Sequence, residues 1–193
     1  MTETLPSISI VIPTYNSERT LPQCLESIVM QDYPREKIEV IIVDGGSKDR
    51  SLDVAKEFDV DRILHNPLRT GEAGKALGVK VARNEIIAFI DSDNILPTSN
   101  WFRVMVEPFN DPEIVGSEPL FYTYRKNDPL ITRYCSLIGM NDPLCLFVGN
   151  YDRYCLLTDR WTELNVMQQD PMIGENWPKV SIIILNYVSA GNN

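Results

Sequence analysis

Two carboxylates two positions apart, Asp91 and Asp93, follow directly on the apolar run Ile86–Ile90. Residues i and i+2 of an extended chain project to the same side, so both acids can converge on one point. Clustered carboxylates repel unless a cation, a proton or solvent intervenes. Their hard oxygens suit Mg²⁺ or Mn²⁺, which take one or two carboxylates together with substrate phosphates. A solvated acidic turn would show the same Asp-x-Asp pattern, so the pair needs support from the rest of the chain. Two other stretches supply marked residues: Pro13-Thr-Tyr-Asn16 with Ser17, and Asp44-Gly-Gly-Ser47. Tyr15 offers an aromatic face for a base, and Asp44 can accept a hydrogen bond from a ring N–H. Asp93 can hold a metal on a diphosphate.

The elements that must position these residues are legible as alternating strands and helices. Ser7–Ile12 reads as a dense β-branched strand closed by Pro13. Leu21, Leu25, Ile28 and Val29 recur at helical spacing, which predicts a helix over Glu18–Gln31 capped by Asn16 or Ser17. Glu39–Val43 is a second buried strand. Ser47 or Asp49 is the expected cap of a helix through Leu52, Val54, Ala55 and Phe58. A short strand at Asp61–Leu64, a loop over Asn66–Gly71 and a helix at Ala73–Ala82 lead to the strand Ile86–Ile90. Pro97 opens a further helix through Trp101, Val104 and Met105. Strand and helix alternating at this spacing predict an α/β fold, a doubly wound, mostly parallel sheet flanked by helices. The strand ends at Thr14–Asn16, Asp44 and Asp91–Asp93 then share one rim, where such sheets place ligands.

Beyond Pro108 the pattern loosens. Ile114–Val115 and Leu120–Tyr124 are expected strands and Leu130–Ile138 an expected helix, while Asn141–Thr158 takes no assignment. The tail Val180–Tyr187 shares Ser, two Ile and Tyr with Ile8–Tyr15 in aligned positions. Chance strand composition or the first strand of a second copy would each produce this. The expected organisation is one domain over 1–193. Residues 1–107 form a nucleotide-binding half, 108–179 an acceptor side and 180–193 the repeated tail.

Composition narrows the function classes. The chain has 193 residues, 44% apolar and 23% charged, enough for one full core and too few for two ordinary domains. A net charge of −9 argues against nucleic acid as a partner. Four scattered cysteines and the single His65 give no zinc spacing and no Cys–His pair, the pattern of reduced thiols in a cytosolic protein. No Gly-x-Ser-x-Gly elbow supports a Ser-His-Asp triad. Met1–Ser7 is short and polar, unlike a secretion signal, and no apolar run reaches the ~18–20 residues of a membrane span.

Three segments in this order, Ser9–Asn16, Ile41–Asp49 and Ala88–Asn94, resemble the family 2 glycosyltransferases of the GT-A fold, a likeness covering Ser7 to Glu107. The resemblance implies transfer of a sugar, with inversion, from a nucleoside-diphosphate sugar to an acceptor hydroxyl, with Mg²⁺ or Mn²⁺. It implies nucleotide contacts from Pro13, Thr14, Tyr15, Asn16, Asp44, Lys75, Asp91 and Ser92. Tyr15 would border the base, Asp44 bind its ring N–H, Asp91 the nucleoside sugar, and Asp93, with Asp91, the metal. Lys75 stands where the family often has a basic residue. Uridine is the base that the resemblance favours. The acceptor, a glycan or a lipid-linked molecule, stays unnamed. The expected location is cytoplasmic, with peripheral association at the inner membrane face as a variant.

The chain departs from the family pattern in three places. Gly45 replaces the second acid of a frequent Asp-Asp-Gly-Ser, and Asn94 replaces a frequent third acid after the metal pair. The family's late Glu-Asp pair, which supplies the base, does not occur in this chain. Inverting transfer needs a carboxylate to take the acceptor's proton. Asp159, Asp170 and Glu175 are the late acids available, and none is singled out; Ile173-Gly-Glu-Asn176 resembles a segment that precedes the base in the family. A non-catalytic nucleotide-sugar-binding module, or a piece of a tandem protein, is therefore the alternative. A nucleotidyltransferase would want a Gly- and basic-rich first loop, and Pro13–Ser17 is neither. A phosphoacceptor role for Asp44 would leave Asp91 and Asp93 unexplained.

Overall fold

A computed structural model describes residues 5–119, 124 and 126–139, and the backbone of 181–185. The elements run β1 (Ile8–Thr14), α1 (Leu21–Val29), β2 (Ile38–Asp44), α2 (Ser51–Glu57), β3 (Arg62–His65), α3 (Gly71–Val81) and β4 (Ile86–Ile90). They continue with α4 (Trp101–Val106), β5 (Gly116–Ser117), α5 (Leu130–Ile138) and β6 (Ser181–Leu185). Among the described residues six strands form one sheet in the order β3-β2-β1-β4-β6-β5, and each pairing is parallel.

The apolar runs are continuous because both faces of the sheet are covered. Alternate residues serve the two faces. Ile8, Ile10, Ile12, Val40, Ile42, Ile86, Ala88 and Ile90 pack with residues of α1, α2 and α4. Val11, Ile41, Val43 and Ile87 face the other way and pack with Leu77 and Val81 of α3. On that second face α3 approaches closely through Gly74 and Gly78. A Cβ on Gly78 would lie 2.2 Å from Val11 Cγ1, and one on Gly74 would lie 3.3 Å from Pro13 Cβ. The amino end of the same face is closed by polar groups. The buried carboxylate of Glu39 accepts from Ser9 Oγ at 2.6 Å and Arg83 Nε at 2.7 Å.

Several boundaries differ from expectation. Pro13 lies inside β1, opposite Val43. The pairing of β1 with β4 has ended at Val11, so the missing N–H of Pro13 breaks no ladder on that side. Helix α1 begins later than the apolar spacing suggested. Ser17 O accepts from Thr20 N and Leu21 N in a turn that precedes the helix, Thr20 is the cap residue, and no side chain caps it. Asn16 is instead bonded to Ser47 and Lys48 in the loop after β2, and Ser17 to Ser51 at the start of α2. Helix α3 starts at Gly71, capped by Thr70, whose hydroxyl accepts from Ala73 N. The strand expected at Ile114–Val115 is the two-residue β5 just beyond it. β4 and α5 keep their expected bounds.

The chain divides into two compact units, residues 1–118 with 180–187, and 119–179 with 188–193. In the second, α5 ends on Gly139 at φ 69°, a left-handed cap that suits glycine, and Arg133 lies 5.7 Å from the Tyr124 ring centroid. Most of the strand expected at Leu120–Tyr124, the segment Asn141–Thr158 and the acids Asp159, Asp170 and Glu175 lie outside the described residues. In the first unit the repeated tail forms β6, parallel to β4.

Candidate active site

The carboxyl ends of β1, β2 and β4 bring the three marked loops to one rim. A cavity of about 260 Å³ opens there, lined in part by Pro13, Thr14, Tyr15, Asp91 and Ser92. Tyr15 is half exposed and presents its ring. Its neighbour Asn16 has another task. At φ 49° its backbone N–H donates to Ser47 Oγ at 2.9 Å, and its side-chain carbonyl accepts from Lys48 N at 2.9 Å. Ser17 N donates to Ser51 Oγ, and Glu18 N to Asp49 Oδ2. The loops after β1 and β2 are thus laced into one body. Hydrogen bonds that satisfy each other's backbone hold both loops in a single arrangement.

Asp44 is buried, and its carboxylate accepts from Gly46 N at 2.9 Å and Ser47 N at 3.1 Å. It shapes the Asp-Gly-Gly-Ser turn with acceptor capacity to spare, since a carboxylate offers about four lone-pair sites. The cavity wall beside it is formed by Gly45 and Val43.

At the end of β4, Lys75 Nζ stands 3.1 Å from Asp91 Oδ1. The glycine face of α3 makes this possible, because Gly74 and Gly78 set the helix against β1 and carry Lys75 to the rim. Asp93 is half buried. Burial raises the pKa of its carboxyl above the ordinary value, and the neighbouring Asp91 charge raises it further. Beneath them Cys24 of α1, fully buried, points its thiol at Asp91 O, 3.7 Å away. Burial and the charges of Asp93 and Asp91 push that thiol far up, so it stays protonated. Ser17 Oγ and Ser92 Oγ are 2.8 Å apart and tie the first loop to the acid loop.

This donor set fits a hard divalent cation. A carboxylate that resists ionisation beside a second carboxylate gains most from a cation, and oxygen ligands are what Mg²⁺ and Mn²⁺ prefer. Among the described residues no cluster of three His, Cys, Asp or Glu side chains forms, so two carboxylates are what these residues offer.

Of the residues read from the sequence, Pro13, Thr14, Tyr15, Asp91 and Ser92 line the cavity, while Lys75 reaches it through Asp91. Asn16 and Asp44 build the loops behind it. Gly45, Asn66, Arg69, Thr70 and Gly71 also line the cavity, and in the sequence they mark only a turn and a loop. The Asn-Pro and Thr-Gly pairs in Asn66–Gly71 mark a shaped loop, though not where it folds.

The family model for glycosyl transferase family 2 matches residues 9–167, most of the chain. The chain belongs to that family. Glycosyltransferase AglE of Haloferax volcanii is 30% identical over 147 residues, covering 72% of this chain and 48% of that protein. Poly(ribitol-phosphate) beta-N-acetylglucosaminyltransferase TarS of Staphylococcus aureus is 32% identical over 157 residues, 79% of this chain and 25% of TarS. The chain thus spans less than half the length of these relatives. The crystal structure of TarS superposes with a TM-score of 0.55 at 22% identity, over 64% of this chain and 23% of TarS. Mannosyltransferase PcManGT of Pyrobaculum calidifontis gives 0.55 at 24% identity, over 69% of this chain and 39% of its own. These likenesses identify the sheet as a GT-A fold, and the relatives as well as the family are glycosyltransferases. No helix among the described residues is long and apolar enough to cross a membrane.

Proposed function

We propose that this chain binds a nucleoside-diphosphate sugar along the rim, and that the protein transfers the sugar, with inversion, to an acceptor hydroxyl. The observation that carries this is the grouping of Asp91, the half-buried Asp93 and Lys75 at the end of β4, beside a cavity with an exposed Tyr15 on its wall. TarS has been crystallised with UDP and with UDP-GlcNAc, and PcManGT with GDP-Man and Mn²⁺, which supports a donor of this class. Uridine is the preferred base, and a glycan or lipid-linked hydroxyl the acceptor. A cytoplasmic setting, at the inner face of a membrane where the acceptor is lipid-linked, suits such a donor.

Asp93, with Asp91, would hold Mg²⁺ or Mn²⁺ against the diphosphate. The bound cation supplies Lewis-acid neutralisation of the leaving diphosphate. The protein's own part is positional. Tyr15 borders the base, the laced loops hold Thr14 and Ser92 in place, and Asp44 keeps the turn open to a ring N–H. Lys75 orients Asp91 and adds a positive charge beside the diphosphate. Fixing the donor in one orientation removes entropy from the barrier before the acceptor attacks. Asp159, Asp170 and Glu175 are the candidate acids for taking the acceptor's proton.

Thermal unfolding with UDP, GDP and ADP, each with Mn²⁺ and with EDTA, tests the donor site. A ligand at 100 times its Kd adds ~2.7 kcal/mol, roughly 5–11 °C for a chain of this size. The expected result is such a rise with one nucleotide, present only with metal and lost in Asp93→Ala. No rise with any nucleotide would sink the reading. Donor hydrolysis or transfer to added acceptors then separates an enzyme from a binding module, which would show neither.

A further inference from the structure

The cavity has a second charged wall, formed by the loop after β3. Gly45 lies between Tyr15 and that loop: a Cβ there would stand 3.3 Å from Tyr15 Cδ2 and 3.5 Å from Arg69 Cα. One residue on, a Cβ on Gly46 would lie 3.9 Å from Arg69 Nε, so the guanidinium runs along the glycine turn. Arg69 itself sits at φ 60°, a left-handed conformation that an L residue with a side chain adopts at a cost. The buried Asn66 imposes it. Its backbone N–H donates to Asp44 O at 2.7 Å, its side-chain amide donates to Thr70 O at 2.8 Å, and its side-chain carbonyl accepts from Leu68 N at 3.1 Å. Strain held in place by a buried network is characteristic of ligand sites. Arg69 is exposed, and among the described residues no carboxylate forms an ion pair with it.

The strand order locates this guanidinium along the donor. Arg69 stands by the β2 and β3 ends, and Asp91 follows β4, with β1 between. Two strand intervals separate β2 from β4 by roughly 10 Å, on the order of a nucleoside's length. With the diphosphate at Asp91, Arg69 faces the base end. A guanidinium is a donor only, in a fixed fork. Uracil and guanine offer it carbonyl oxygens, whereas adenine turns an amino donor toward the same edge.

We propose that Arg69 selects the base of the donor, donating to a carbonyl oxygen of a keto base held against Tyr15, and that Gly45 keeps the slot open and the guanidinium unneutralised. This rests on the donor reading above and adds a residue to it. An Asp at position 45 would crowd Tyr15 and offer Arg69 an internal ion pair.

The test is titration of UDP, GDP and ADP, with Mn²⁺, into wild type, Arg69→Gly, Arg69→Lys and Gly45→Asp. Glycine occupies φ 60° without strain, so Arg69→Gly is expected to fold with an undiminished ligand-free Tm. Wild type should prefer UDP or GDP to ADP, and which of the two it takes names the base. Arg69→Gly and Gly45→Asp should each lose roughly 10- to 100-fold in affinity for that nucleotide while ADP is little changed. Arg69→Lys, keeping the charge without the fork, should recover only part. If wild type binds and Arg69→Gly discriminates as well as wild type, Arg69 does not select the base and the donor reading stands. If wild type binds no nucleotide, both fall.

Discussion

Single side chains at the two ends of the sheet have opposite electrostatic roles. At the rim, burial and Asp91 work against ionisation of Asp93. At the amino end, burial likewise disfavours the Glu39 carboxylate. Hydrogen bonds from Ser9 and Arg83 and the Arg83 charge outweigh it, so its pKa is held below the ordinary value. Arg62 Nε adds a contact at 3.2 Å. A depressed folded-state pKa means that Glu39 stabilises the fold above its unfolded pKa, and that this contribution disappears as pH falls through the folded value. Glu39→Gln should therefore cost about 1–3 kcal/mol at neutral pH, the loss of charge-assisted hydrogen bonds. Its Tm should also fall less steeply than that of wild type between about pH 5 and 3. Thermal melts across that range check both; parallel pH profiles would rule out the role. The sequence showed Glu39 as the first residue of a strand. Its partner Arg83 lies 44 positions away, a pairing that spacing cannot reveal.

At the scale of elements, helix α3 carries site chemistry on a glycine face. Its buried positions are Gly74 and Gly78. Glycine is unfavourable inside a helix by up to ~1 kcal/mol, a cost the close approach to β1 offsets. Gly78→Ala would place a methyl 2.2 Å and 2.7 Å from the two methyls of Val11, a fully buried β-branched residue with little freedom to turn. Overpacking of this kind costs about 1–3 kcal/mol, which exceeds the propensity gained. The net loss, up to ~2 kcal/mol, corresponds to a Tm drop of up to roughly 8 °C. Because a shifted α3 moves Lys75 away from Asp91, nucleotide affinity should fall as well. The double variant Val11→Ala with Gly78→Ala should be more stable than the two single losses added together. Additive losses in a double-mutant cycle would mean that the two positions do not touch.

For the whole molecule, the distinctive feature is that two similar strands flank β4. β1 pairs on one side, with Ser9 opposite Ile87, and β6 on the other, with Ser181 opposite Ile86. In β6, Ile183 pairs with Ala88 and with Ser117 of β5, so the strand has neighbours on both sides. Proline there removes a ladder hydrogen bond from an interior strand. Ile183→Pro should accordingly speed hydrogen exchange at the backbone amides of β4 and lower Tm. Unchanged exchange across Ile86–Ile90 would mean that the tail does not belong to this sheet in solution, and would favour its reading as the start of a second copy.

The sequence by itself determined the strand and helix alternation, the parallel class and the rim. Apolar β-branched runs ending in Asp, Asn or Gly have few other ways to bury themselves, and period and composition are local properties. It also placed Tyr15, Asp91 and Asp93 at strand ends, since a strand's end is read from where its apolar run stops. Only the tertiary structure decided what each polar residue bonds to. Asn16 laces two loops, Asp44 closes its own turn, Lys75 reaches Asp91, and Arg69 is held beside Gly45 by a buried asparagine. Those outcomes depend on contacts between residues up to 75 positions apart, such as Ser17 with Ser92, which exist only once the helices have packed. A hydrogen bond of that separation carries no local periodic signature, and its geometry is fixed by packing.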